Sequence, residues 1–172
     1  MRRIMILGQP GSGKSTLARA LGAKTGLPVV HIDHIHWRPG WVERSRDDKT
    51  RLCHEVEARD AWIFEGGHSA TWANRLERAE MVIWIDLPVG LRLWRGIWRT
   101  LVWCGRARPD LPDGCIEGFH AETLPFWRFI WRTRHSAGDR IARFMAATPE
   151  GKAVVHLRSR AEVARFVAFG PQ

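Results

Sequence analysis

Starting at residue 8, the run Gly8-Gln9-Pro10-Gly11-Ser12-Gly13-Lys14-Ser15 joins two segments of different character. Before it, Arg3-Ile4-Met5-Ile6-Leu7 reads as a short buried strand; after it, Thr16-Leu17-Ala18-Arg19-Ala20-Leu21-Gly22-Ala23 reads as a helix. The run satisfies G-x-x-x-x-G-K-[ST] at every required position, in the strand–loop–helix context that pattern needs. Without a Cβ, Gly8, Gly11 and Gly13 let the backbone adopt positive φ and approach a ligand closely. The loop N–H groups converge on phosphate oxygens, and the helix N-terminus adds its positive partial charge. Residues Gly8, Gln9, Pro10, Gly11, Ser12, Gly13, Lys14, Ser15 and Thr16 thus form a predicted site for a nucleoside triphosphate. Lys14 reaches toward the β- and γ-phosphates and the Ser15 hydroxyl toward Mg²⁺.

The remainder of the chain alternates apolar strand-like runs with helical or polar stretches. Strands are expected at Pro28–Asp33, Ala61–Gly67, Met81–Asp86 and Ala153–Leu157. Between them the pattern predicts a loop over 34–44, a charged helix over 45–60, helical or connecting chain over 75–80, and an amphipathic helix over 89–103. A mobile loop is expected over 104–118. A long helix over 120–147 should break near Ser136-Ala137-Gly138, and a last helix runs from Ala161 to Phe169. Apolar strands alternating with helices predict a parallel sheet covered on both faces, with ligands beyond the C-terminal strand ends. Gly8, Asp33, Glu65 and Asp86 all fall at those ends.

A length of 172 residues suits one domain, 1–172. No stretch reaches the ~18 apolar residues of a membrane span. The apolar run after Arg2-Arg3 is too short for a signal peptide and leads into the phosphate loop. Three cysteines, Cys53, Cys104 and Cys115, make no disulfide framework and agree with a cytoplasmic setting. The formal charge of +9 favours anionic partners, nucleotides or nucleic acid. Of the basic residues only Lys14, Lys24, Lys49 and Lys152 are lysine, and arginine suits bidentate phosphate contacts.

At this level the chain resembles the adenylate kinase-like branch of P-loop proteins, which includes nucleoside-monophosphate and shikimate kinases. More closely it resembles the bacterial DNA topology modulation proteins. That likeness rests on Ile32-Asp33, Trp37-Arg38-Pro39-Gly40-Trp41, Trp62-Ile63-Phe64-Glu65-Gly66 and Val82-Ile83-Trp84-Ile85-Asp86-Leu87-Pro88. It rests above all on Arg106-Ala107-Arg108-Pro109-Asp110-Leu111-Pro112-Asp113-Gly114-Cys115-Ile116-Glu117. The resemblance implies a three-layer α/β P-loop NTPase fold with a five-stranded parallel sheet of order 2-3-1-4-5. It also implies an acceptor-side region over about 34–60 and a lid over about 104–120. In adenylate kinases, Asp-x-Pro at the end of the fourth strand is followed by two arginines one helical turn apart. Here Asp86 and Pro88 are followed by Arg95 and Arg99, on one helix face. Trp94 and Trp98 would share a neighbouring face toward the core. The acceptor side departs from the pattern: Glu65 is followed by Gly66-Gly67-His68-Ser69, with no arginine to hold a nucleoside monophosphate.

These residues predict a Mg²⁺- and ATP-dependent phosphotransferase. Asp33 or Glu65 orients a metal-bound water or the acceptor, and both join Ser15 as candidate metal contacts. Arg95, Arg99, Arg106 and Arg108 neutralise the transferred phosphoryl group. Asp86 ranks below the other two acids. Arg128 and Arg132 read as a solvated stripe beside core Trp127 and Trp131. His31, His34 and His36, like Cys104, Cys115 and His120, match no standard zinc spacing. Trp37, Trp41 and Trp72 are candidates for stacking or for the core. The acceptor is a small molecule, nucleosides and nucleotides included, and the chain a monomer or homodimer. The alternatives are an ATP-dependent nucleic-acid-associated protein and a plain ATPase.

Overall fold

The computed structural model describes residues 1–121 and 123–170. In chain order it contains β1 (Arg3–Gly8), α1 (Lys14–Thr25), β2 (Val29–His31), α2 (Ile32–His36), β3 (Trp37–Arg38), β4 (Val42–Glu43), α3 (Arg46–Glu57) and β5 (Trp62–Glu65). A single 3₁₀ turn (Ser69–Thr71) then leads to α4 (Trp72–Arg78), β6 (Met81–Ile85), α5 (Val89–Val102), α6 (Thr123–Arg132), α7 (Ser136–Ala146), β7 (Ala153–Leu157) and α8 (Arg160–Phe169). Five strands form one parallel sheet in the order β2-β5-β1-β6-β7. Counting only those strands, this is the expected 2-3-1-4-5.

Strand alternation sorts the core into two layers. Met5, Leu7, Phe64, Val82 and Trp84 point to one face and pack with Cys53 and Val56 of α3, Trp72 and Leu76 of α4, and Ile141 of α7. Ile4, Ile6, Ile63, Ile83 and Ile85 point to the other, against Leu17, Ala18 and Leu21 of α1 and Val163 and Phe166 of α8. Central β1 is apolar on both faces because helices cover both.

Three local expectations need correction. The second strand ends at His31, two residues early, and Asp33 lies in the first turn of α2. Edge strand β2 pairs only with β5, and that pairing runs out at His31 opposite Glu65. Gly66 then turns away at φ 108°, and a Cβ there would collide with Ile32. With no partner left, the chain coils into α2. Residues 34–44 are therefore the end of α2 followed by the β3–β4 hairpin, not an open loop. The long helix breaks at 133–135, beside Ser136 as expected: Gln9 Nε2 donates to the Arg134 carbonyl of this connection at 2.9 Å, and Gly138 lies inside α7. Finally, Trp94 and Trp98 are exposed and stack on each other, ring centroids 5.9 Å apart. The inner stripe of α5 is instead Arg92, Gly96 and Thr100, where Gly96 admits Ile130 of α6. Trp131 is likewise exposed.

Between α3 and α4, Arg75 and Glu57 form a fully buried ion pair, Arg75 Nε to Glu57 Oε1 3.0 Å. The guanidinium also donates to Gly66 O at 3.0 Å and Thr71 Oγ1 at 3.2 Å, and lies 3.6 Å from the Phe64 ring centroid. It thereby fixes the turn that follows Glu65. Glu57→Gln should lower stability by about 3–5 kcal/mol, because it leaves a buried charge without its partner. Urea unfolding followed by circular dichroism measures this; a loss under about 1 kcal/mol would contradict it.

His36 is partly buried beside His68 and Lys49, and its pKa falls to about 4, through burial first and Lys49 second. Between pH 6.5 and 4 the unfolded chain binds a proton here that the folded chain does not. Its contribution to stability is therefore complete above pH 6.5 and is lost as pH falls toward 4. His36→Gln should flatten the decline in melting temperature across that window, read by thermal scans at pH 7, 5.5 and 4.5.

Candidate active site

The phosphate loop leaves β1 at Gly8 and enters α1 through Gly13, which holds the left-handed conformation at φ 93°. No side chain caps this N-terminus and its first turn carries no acid. The N–H groups that a helix start leaves without intrahelical partners thus face the loop's interior. Gly11, at φ 77°, packs on the backbone of Arg92, and a Cβ would collide with the Arg92 carbonyl. Ser12 is buried, and its Oγ has no hydrogen-bond partner among the described residues.

On the β5 side of the loop, Ser15 Oγ donates to Glu65 Oε1 at 2.9 Å. His31 Nδ1 meets the same oxygen at 2.8 Å, and both His31 and Glu65 are buried. Strand register explains the meeting, since His31 and Glu65 are paired at the ends of β2 and β5. Lys14 Nζ donates to Gln9 O at 3.2 Å. Burial lowers its pKa, and the charges of Glu65 and Asp33 oppose that shift. Asp33 is pushed the other way: burial first, then the Glu65 carboxylate, raise its pKa, while Arg108 and Lys14 pull it down. Two carboxylates and one ammonium therefore share this end of the loop.

The arginines of α5 divide between two partners. Arg95 Nη1 donates to Ser12 O at 3.2 Å and lies against Gly13. One turn on, Arg99 faces the 104–118 segment, its Nε 3.7 Å from Glu117 Oε1. The 104–118 segment is a loop without regular elements that is tied together at its base. Gly105 N donates to Glu117 O and Glu117 N to Arg106 O, closing its base. Arg108, expected to be free to meet phosphate, is buried and pairs with Asp110 at 2.8 Å and Glu117 at 2.7 Å. Arg106 is exposed, and its side chain makes no ion pair among the described residues. The segment also docks outward. Arg19 of α1 meets Asp110 at 3.3 Å, Trp41 Nε1 donates to Ile116 O at 2.9 Å, and His34 Nε2 lies 3.4 Å from Pro109 O. It thus spans the cleft from α1 to the β3–β4 hairpin.

Sequence reasoning missed Asp110 and Glu117 as partners of Arg108 and His31 as a partner of Glu65. The near balance of arginine and acid within 106–117 was the available signal for the first two. For His31 it was a single polar residue in an apolar strand. The three histidines diverge: His31 to Glu65, His34 to the lid, His36 to His68. Asp86 lies beyond β6 and meets His156 Nε2 at 3.3 Å. Trp72 belongs to the core, while Trp37 and Trp41 pack edge to face on the hairpin at 5.4 Å.

The sequence model of the ATPase family associated with various cellular activities (AAA) matches residues 4–86, from β1 through the end of β6. No curated protein matches the sequence. Among solved structures, shikimate kinase from Acinetobacter baumannii in complex with shikimate aligns over 98% of this chain and 90% of its own, with TM-score 0.59 and 20% identity. The chain shares that α/β fold, a five-stranded parallel sheet with a glycine-rich loop between β1 and α1. Shikimate kinase from Bacteroides thetaiotaomicron aligns over 98% and 95%, with TM-score 0.58 and 17% identity. An unliganded sugar kinase from Janibacter sp. HTCC2649 aligns over 98% and 93%, with TM-score 0.54 and 14% identity. At these identities the likeness is one of fold. Among the described residues, no helix is long and apolar enough to cross a membrane.

Proposed function

We propose that the protein is a Mg²⁺-dependent phosphotransferase that moves the γ-phosphoryl group of ATP to a hydroxyl of a small polar acceptor. The observation that carries this reading is Ser15 hydrogen-bonded to Glu65 at the mouth of an uncapped glycine loop, with Lys14 and Asp33 beside them. The loop suits triphosphate oxygens, since side chains at Gly8, Gly11 or Gly13 would crowd it and Ser12 Oγ is a buried donor without a partner. Ser15, Glu65 and Asp33 supply oxygen donors only, the set a hard cation takes. Mg²⁺ bound there would neutralise phosphate charge.

Roles for the chain's own groups follow. Lys14 and the loop N–H groups hold the phosphates, and Arg95, beside Ser12, stabilises charge on them. Glu65, held by His31, serves the metal side. Asp33, with its raised pKa, is the better placed of the two acids to accept the acceptor's hydroxyl proton. Arg99 and the arginine-bearing lid close the site; Arg108 and Arg106 act from the lid, Arg108 after exchanging Asp110 or Glu117 for phosphate. Shikimate and sugar kinases among the fold neighbours support a small hydroxylated acceptor. The missing arginine after Glu65 disfavours a nucleoside monophosphate. We place the reaction in the cytoplasm.

An ATP-consumption screen over sugars, hydroxy acids, nucleosides and nucleotides, with Lys14→Ala as control, tests this. One acceptor class should raise turnover well above the bare ATPase rate, and Lys14→Ala should abolish the increment. If none does, the plain ATPase is the better description. The resemblance to DNA topology modulation proteins, together with exposed Trp94 and Trp98 between arginines, supports a second reading as a nucleic-acid-associated protein. Steeply salt-dependent DNA binding would favour it.

A further inference from the structure

Behind the phosphate loop lies a cavity of about 330 Å³, away from the Ser15–Glu65 centre. Its walls include Gln9, Asp86, Arg92, Arg134, His135 and Arg158. Side-chain alternation sets its side of the sheet. Trp84 belongs to the core layer opposite α1. His156 stacks on Trp84 at 3.9 Å and meets Asp86. Arg158 Nε donates to His156 Nδ1 at 3.3 Å. The cavity therefore opens on the sheet face opposite the helix that carries Lys14 and Ser15.

The charge of this space is lopsided. Three arginines line it against one carboxylate, and that carboxylate is engaged by His156. Arg92 is 98% buried, being 2% exposed. Its Nε is satisfied by the Leu87 carbonyl at 2.9 Å, yet its buried Nη1 has no hydrogen-bond partner among the described residues. An unpartnered guanidinium N–H in a buried wall is costly unless an acceptor arrives to meet it. The guanidinium fork matches phosphate oxygens. The volume far exceeds one phosphate and fits the lower range of small-molecule sites.

We propose that this cavity is a second anion site, for a small phosphomonoester whose phosphoryl oxygens meet Arg92 and Arg158. The site is separate from the triphosphate cradle but mechanically joined to it. Gln9 is both a cavity wall and the second residue of the loop, and Gly11 packs on the backbone of Arg92. An anion that orders Arg92 thus bears directly on the loop's shape, which gives a route for a metabolite to tune nucleotide affinity.

Isothermal titration with pyrophosphate as probe tests the proposal on the whole chain saturated with a non-hydrolysable ATP analogue. With the cradle filled, one further equivalent of pyrophosphate should bind. Its Kd should rise at least tenfold in Arg92→Gln and in Arg158→Gln. In Lys14→Ala without analogue, the same single equivalent should persist, its Kd displaced from that of the analogue-bound protein by the factor that couples the two sites. Arg158 is exposed, so Arg158→Gln keeps the test decisive if Arg92→Gln does not fold. Loss of all pyrophosphate binding once the analogue is bound would overturn the proposal, because the donor itself would then be the only anion held. Binding indifferent to Arg158→Gln would overturn it as well. Failure of the analogue to bind at all would instead count against the triphosphate reading.

Discussion

Lys14→Ala is expected to lower ATP turnover by on the order of 10²–10³-fold while changing folding stability by less than about 1 kcal/mol. Lys14 stands between the loop and the Asp33–Glu65 carboxylates. Burial disfavours its charge and lowers its pKa, and the two acids oppose that shift. The ammonium is thus held where phosphate charge would concentrate, without a committed ion pair to break first. Its hydrogen bond is to the Gln9 carbonyl, within the loop itself. Removing it takes away a preorganised positive charge but little packing. A coupled ATP-consumption assay and a urea titration on the same preparation separate the two effects. If turnover survives within threefold, the loop does not act on the γ-phosphate.

Glu65→Gln should reduce turnover on the order of 10²-fold and raise the Mg²⁺ concentration needed for half-maximal rate. Gln keeps the shape and an oxygen that accepts from Ser15 and His31, so the β2–β5 junction should hold. What disappears is the negative charge. That loss has a second signature. The Glu65 carboxylate is one of the groups that raise the Asp33 pKa, after burial. In Glu65→Gln the acid limb of the pH–rate profile should therefore move to lower pH, provided Asp33 accepts the acceptor's proton. An unchanged Mg²⁺ dependence would make Glu65 a structural partner of His31 rather than a metal-side acid.

Much of the donor end was legible in the chain. G-x-x-x-x-G-K-S between an apolar strand and a helix is local: residues 8–15 contain nearly everything the loop requires. Apolar runs located the sheet strands to within a few residues, because strands covered on both faces must be apolar throughout. Arg95 and Arg99 were readable as one helix face, although not that the first would meet Ser12 and the second Glu117.

The rest depended on partners distant in sequence. Trp94 and Trp98, four apart on one helix face, read as turned toward the core, yet α5 turns Arg92, Gly96 and Thr100 inward, with Ile130 of α6 packed beside Gly96. Asp33 left its strand because the pairing opposite ran out at Glu65. Arg108 read as a free cation until Asp110 and Glu117 folded around it.

By itself, then, the sequence determined the sheet class, the phosphate loop and the identity of the charges around it, since each is written in contiguous residues and short periods. Only the tertiary structure decided which of those charges meet. Ser15 found Glu65, fifty residues on, through strand register. Arg108 was neutralised by its own loop, and Arg92 was buried behind Gly11 with its Nη1 unpartnered among the described residues. A charge's worth depends on its distance to other charges and to water, and neither distance is written along the chain.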